Sequence, residues 1–126
     1  MRFAEFHAGQ VIQAGPLTLS ERDIIEFAER WDPQWFHTDP VAAAEGRHGG
    51  LIASGWQTCG VAMRLVAQAA LAGSESFASP GLQYVKWTKP VRPGDALRVV
   101  ATVLETRCSA SQTTLGILRW RWQLYN

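Results

Sequence analysis

The 126-residue sequence predicts an α+β architecture, a long apolar helix lying against an antiparallel sheet of three to five strands. Three observations carry that expectation. Apolar residues fall at helical spacing early in the chain, the longest apolar segment occupies positions 51–71, and the C-terminal half changes to a period of two. The length suits one domain spanning residues 1–126.

In chain order, the stretch 10–19 carries Val11, Ile12, Leu17 and Leu19 around Gly15-Pro16, the pattern of a short, broken strand or edge. Ser20 followed by Asp23 resembles a capping box. Ile24, Phe27, Ala28 and Trp31 then share one helical face, which predicts a helix over 21–30. Pro33 disfavours helical backbone at Asp32, so that helix should end by presenting Asp32 at its exit. Asp39-Pro40 signals a second helix start, and Gly46 ends it after one or two turns. The long helix is expected over 51–71, roughly 31 Å at ~1.5 Å per residue. Its Ser54, Gln57, Arg64 and Gln68 form a narrow polar seam facing a site, a partner or solvent.

Strand patterning follows at 83–89, in Leu97, Val99, Ala101 and Val103, and in Leu118, Trp120, Trp122 and Leu124. Pro93-Gly94-Asp95 and 109–112 supply the turns of an antiparallel meander. One sheet covers one side of the helix and leaves edges open, needs that a dimer would meet. The six tryptophans exceed what one small core requires and favour an interface or a ligand tunnel.

Composition narrows the function. At 47% hydrophobic and 18% charged the chain is globular, and its net charge of +1 gives no electrostatic case for nucleic acid. Arg64 in the middle of the apolar segment argues against a membrane span, and no signal-peptide core opens the chain, so a soluble protein is expected. Two cysteines, Cys59 and Cys108, fit neither a disulfide framework nor a zinc pattern; they suit a reducing cytoplasm, with both thiols buried. Three histidines without clustered ligand spacing make no metal site.

The stretch from Trp31 to Gly55 holds the candidate chemistry. Asp32 and His37 on a compact, proline-punctuated loop can converge on one water as a general acid/base pair near neutral pH. Gly49-Gly50, expected at the start of the long helix, offer backbone N–H groups that could hold a carbonyl oxygen, aided by the helix dipole. Each residue also has a structural reading: Asp32 as a cap, His37 as a core histidine, and the glycines as a close helix–sheet approach. Asp39 reads as an N-cap, and His48 as a structural residue at a helix entrance.

Asp32-Pro33-Gln34-Trp35-Phe36-His37-Thr38-Asp39-Pro40, with Ala43 and Ala44 beyond, resembles the signature of the MaoC-like dehydratases, which include the (R)-specific enoyl-CoA hydratases. Gly49-Gly50-Leu51-Ile52-Ala53-Ser54-Gly55-Trp56 resembles that family's central helix, and Lys89-Pro90-Val91-Arg92-Pro93-Gly94-Asp95 its hairpin turn. The resemblance implies a hotdog fold, a homodimer, and reversible hydration of a trans-2-enoyl thioester to the (R)-3-hydroxyacyl thioester, with no cofactor. By position, Asp32 and His37 would activate the water and Gly49 would bind the thioester oxygen. Gly50, Trp35, Phe36, Ser54, Trp56 and Gln57 would contact an acyl-CoA or acyl-carrier substrate. Two departures stand out: relatives carry Ser or His at the place of Gln57, and they continue past Asn126 into one more hairpin strand. A hotdog thioesterase and a non-catalytic acyl-CoA-binding partner subunit are the alternative readings.

Overall fold

A computed structural model describes residues 1–126. A 3-10 turn at Phe3–Glu5 leads to β1 (Val11–Thr18), α1 (Glu21–Trp31), α2 (Trp35–Thr38) and α3 (Pro40–Glu45). Then come α4 (Gly55–Val66), a π-helical turn at Ala67–Leu71, β2 (Ala96–Cys108) and β3 (Gly116–Tyr125). The three strands form one sheet in the order β1-β2-β3. No helix is long and apolar enough to cross a membrane.

The chain folds into two compact units, each built from separated segments. The first comprises Met1–Gly15, Ala62–Ser79 and Arg98–Tyr125, and so holds most of the sheet with the end of α4. Here β2 pairs antiparallel with β3, setting Val99 opposite Leu124, Ala101 opposite Trp122 and Val103 opposite Trp120. Alternation puts all six on one face, where Val99, Ala101 and Val103 are buried. A bulge at Leu104, between Val103 and Glu105, interrupts the register. Phe6 meets Trp120 edge-on, with ring centroids 5.7 Å apart. Val66 and Ala70 are buried in the same unit.

The second unit comprises Pro16–Val61, Pro80–Leu97 and Asn126. Ser20 caps α1 by accepting from the Asp23 N–H while Asp23 returns a bond to the Ser20 N–H, the reciprocal box expected from the sequence. Ile24 and Ala28 are fully buried on this helix, and Asp32 stands at its C-terminal end. Asp39 caps α3 by accepting from Val41 and Ala42 N–H groups, also as expected.

Three sequence expectations are corrected. The long helix begins at Gly55 rather than at residue 51. Residues 51–53 are held by distant backbone groups instead: Ile52 N–H donates to Phe36 O at 3.2 Å and Ala53 N–H to Val91 O at 2.8 Å. The stretch 83–89, expected as a strand, joins no ladder of the sheet. Its Tyr84 and Trp87 are exposed, and the sheet pairs only β1, β2 and β3. The cysteines are not both buried, since Cys59 is half-buried and Cys108 is exposed at the end of β2.

Trp87 packs on the first turn of α4. Its indole N–H donates to Gly55 O at 3.0 Å, and its ring lies where a Gly55 side chain would project, 2.4 Å from an added Cβ. Gly55→Ala must therefore displace Trp87. We expect a loss of about 1–3 kcal/mol in urea unfolding, together with altered tryptophan fluorescence.

Candidate active site

Asp32, His37, Gly49, Gly50, Ser54 and Gln57 all lie in the second unit. The end of α1 delivers Asp32, and the single turn of α2 turns the buried ring of His37 towards it. His37 Nδ1 lies 2.7 Å from the carbonyl oxygen of Ile52. A carbonyl only accepts, so Nδ1 carries the proton and donates it. Nε2 then faces Asp32 Oδ2 at 3.3 Å. In the neutral ring Nε2 is a lone pair opposite a carboxylate, so two acceptors face one another. A proton placed on Nε2, or a water donating to both groups, resolves the arrangement. Either state suits general acid/base chemistry, because the pair can take up one proton and give it back.

Both oxygens of Asp32 have donors. Gln34 Nε2 donates to Oδ1 at 2.8 Å, and Ser54 Oγ donates to Oδ2 at 2.7 Å. Partial burial works to raise the Asp32 pKa. The hydrogen bonds from Gln34 and Ser54, with the charge of a protonated His37, outweigh it and hold the carboxyl below the ordinary carboxylate value.

The glycine loop differs from expectation in a way that matters chemically. Gly49 and Gly50 have φ of 65° and 158°, which suits glycine, but they precede the first residue of α4 by several positions. The positive end of the α4 dipole therefore acts at Ser54 and Gly55, not at the glycine pair. Gly49 N–H is spent on Gly46 O at 3.0 Å, whereas the Gly50 N–H makes no hydrogen bond. Arg92, in the turn before β2, donates to His48 O and reaches the edge of Gly50, bracing the loop.

Among the aromatic residues, Phe36 lies against His37 with ring centroids 4.4 Å apart. Trp35 rests over Gly46, and Trp56 meets Trp87 edge-on at 5.3 Å; both Trp35 and Trp56 are at least half exposed. Gln57 is buried, with Nε2 donating to Asp23 O at 3.0 Å and Oε1 without a partner. It ties the first turn of α1 to α4. The expected polar seam divides: Ser54 and Gln57 are buried, and Arg64 and Gln68 are exposed. Sequence reasoning missed Gln34, the Ile52 carbonyl and Arg92. Gln34 stands two residues from its partner Asp32 inside a motif already singled out, whereas Arg92, in another, reaches His48 from 44 positions away.

The family described as "MaoC like domain" matches residues 3–119. The uncharacterized protein YdeM of Bacillus subtilis is 35% identical over 126 residues, all of this chain and 88% of that protein. The crystal structure of a MaoC-like dehydratase from Rhodospirillum rubrum superposes with a TM-score of 0.82 at 32% identity, covering 98% of this chain and 84% of that one. The (R)-hydratase PhaJ1 from Pseudomonas aeruginosa superposes at 0.63 with 28% identity, covering 83% of this chain and 66% of that one. With a match over nearly its whole length and relatives above 30% identity, the chain belongs to the MaoC-like domain family, a family of dehydratases and hydratases built on the hotdog fold.

Proposed function

We propose that this protein is a hydro-lyase that reversibly hydrates a trans-2-enoyl thioester of coenzyme A or an acyl carrier to the (R)-3-hydroxyacyl thioester. The observation that carries the reading is the Asp32–His37 pair, 3.3 Å apart, with the Nδ1 proton of His37 committed to Ile52 O. A water held between Oδ2 and Nε2 gives up a proton to the pair as its oxygen bonds to C3. The C2–C3 double bond becomes an enolate, and the pair returns one proton to C2. The enolate oxygen needs a donor, and the glycine loop supplies candidates. Gly50 N–H is open, whereas Gly49 would first have to release Gly46. Phe36, beside His37, is the aromatic residue best placed to line the acyl pocket, with Trp35 and Trp56 further out. The reaction needs no cofactor. Two free cysteines accord with a cytoplasmic setting.

The test is loss of enoyl absorbance when purified protein meets crotonyl-CoA, then longer and branched enoyl-CoAs. Turnover to the (R) product is expected. Release of free thiol without hydration would point to a thioesterase, and binding without turnover to a non-catalytic subunit.

The same reading includes a homodimer. Leu82, Tyr84 and Trp87 are exposed on a stretch that joins no ladder of its own chain, and a second copy would cover it. Leu82→Arg with Tyr84→Arg puts two new cations beside Lys86, which should repel across a two-fold axis. Sedimentation velocity is expected to show a dimer for the native chain and a monomer for the double variant.

A further inference from the structure

Ser54 is fully buried, so no substrate atom can reach it without a rearrangement. It takes the N-cap place before α4: its carbonyl accepts from Gln57 N–H at 3.0 Å and Thr58 N–H at 3.2 Å. Its hydroxyl oxygen accepts from Trp56 N–H at 3.3 Å, as a capping serine does. That bond uses a lone pair and leaves the single hydroxyl proton for Asp32 Oδ2, 2.7 Å away. Oδ2 is also the oxygen that faces His37 Nε2. The acid is thereby moored to the positive end of α4 through one hydroxyl group.

We infer that Ser54 is a positioning residue for the reaction, a helix cap whose hydroxyl fixes the Asp32 carboxylate with Oδ2 towards His37, and not a group that binds substrate. The inference takes the hydration chemistry proposed above as its setting, but the geometry it rests on does not need it. Gln34 holds the other oxygen from the exposed side, so the carboxylate plane is gripped at both ends. Removing Ser54's hydroxyl frees the end that matters, because only Oδ2 faces the imidazole.

The test is a 13C carboxyl titration of Asp32 in the native protein, Ser54→Ala and Gln34→Met, with Asp32→Asn identifying the signal. Both variants are expected to raise the Asp32 midpoint, since each removes a donor to the charged form. Ser54→Ala alone should also perturb the 15N signals of His37. In enoyl-CoA hydration, Ser54→Ala is expected to lower kcat about 10- to 100-fold with KM little changed. The acid limb of its rate profile should move to higher pH with the titration. Ser54→Cys, which keeps a donor, should recover part of both effects. An unchanged Asp32 midpoint in Ser54→Ala would overturn the inference, as would a pure KM effect. A native protein that fails to hydrate any enoyl-CoA would refute the proposed function, while the titrations would still decide the role of Ser54.

Discussion

Asp32→Asn protein is expected to lose enoyl-CoA hydration by about 10²- to 10⁴-fold while remaining folded. The amide keeps the shape of the carboxylate and can still meet Gln34 and Ser54, but it cannot take a proton from water. Its NH₂ group would face either Gln34 Nε2, donor against donor, or both His37 Nε2 and Ser54 Oγ, turning one acceptor position into a donor. His37→Ala should lose activity over a similar range, because it removes the group facing the acid 3.3 Å away. The double variant is the more telling measurement. If the two side chains share one proton, removing both should cost little more than removing either. Full multiplication of the two losses would mean that they act on separate steps, and the shared-water mechanism would fail.

Ile24→Ala should destabilise the fold more than Gly55→Ala does. Ile24 has 0% exposure and, with Leu97, is among the largest fully buried side chains of the chain. Truncation to alanine typically costs about 2–5 kcal/mol, a large part of the roughly 5–15 kcal/mol that keeps a domain folded. A lowered urea midpoint with unchanged slope is the expected signature. Ile24→Val, which removes one methylene group, should cost about 0.5–1.5 kcal/mol. The site should feel the cavity as well, since α1 carries Ile24 in its first half and ends at Asp32. A folded Ile24→Ala protein with native stability would show that α1 is not anchored by this contact.

Where local chemistry decides structure, the chain is legible. Ser20 with Asp23, and Asp39 before Pro40, announce helix starts because the cap and its targets lie within three residues. The alternation in β2 and β3 is equally local, and the hairpin forms in register with it. The start of α4 is not legible. A continuous apolar run reads the same whether it is a buried helix or a buried extended segment. What decides it is the bonding of Ile52 and Ala53 to Phe36 and Val91, contacts that leave no periodic trace. A helix start placed too early assigns the dipole to the glycine pair, when it acts beside the acid. The stretch 83–89 shows the opposite failure: its alternation has the form of a strand, but no partner strand in this chain pairs with it. In the site, Asp32 and His37 are visible as residue types at short spacing. The Ser54 hydroxyl, 22 positions from Asp32, becomes visible only once the chain has folded.

The proton on His37 Nδ1 is held by a main-chain oxygen, and that has a consequence for how the site can change over evolutionary time. Any residue at position 52 still presents a carbonyl there, so the tautomer survives substitutions that would erase a side-chain partner. Its control is therefore silent in sequence comparisons, and drift at position 52 leaves the ring's protonation pattern intact. The vulnerability lies in displacement of the backbone. Ile52 is bracketed by its own bond to Phe36 and by the bond from Ala53 to Val91, so an insertion or deletion near either anchor would reach the imidazole without altering Asp32 or His37.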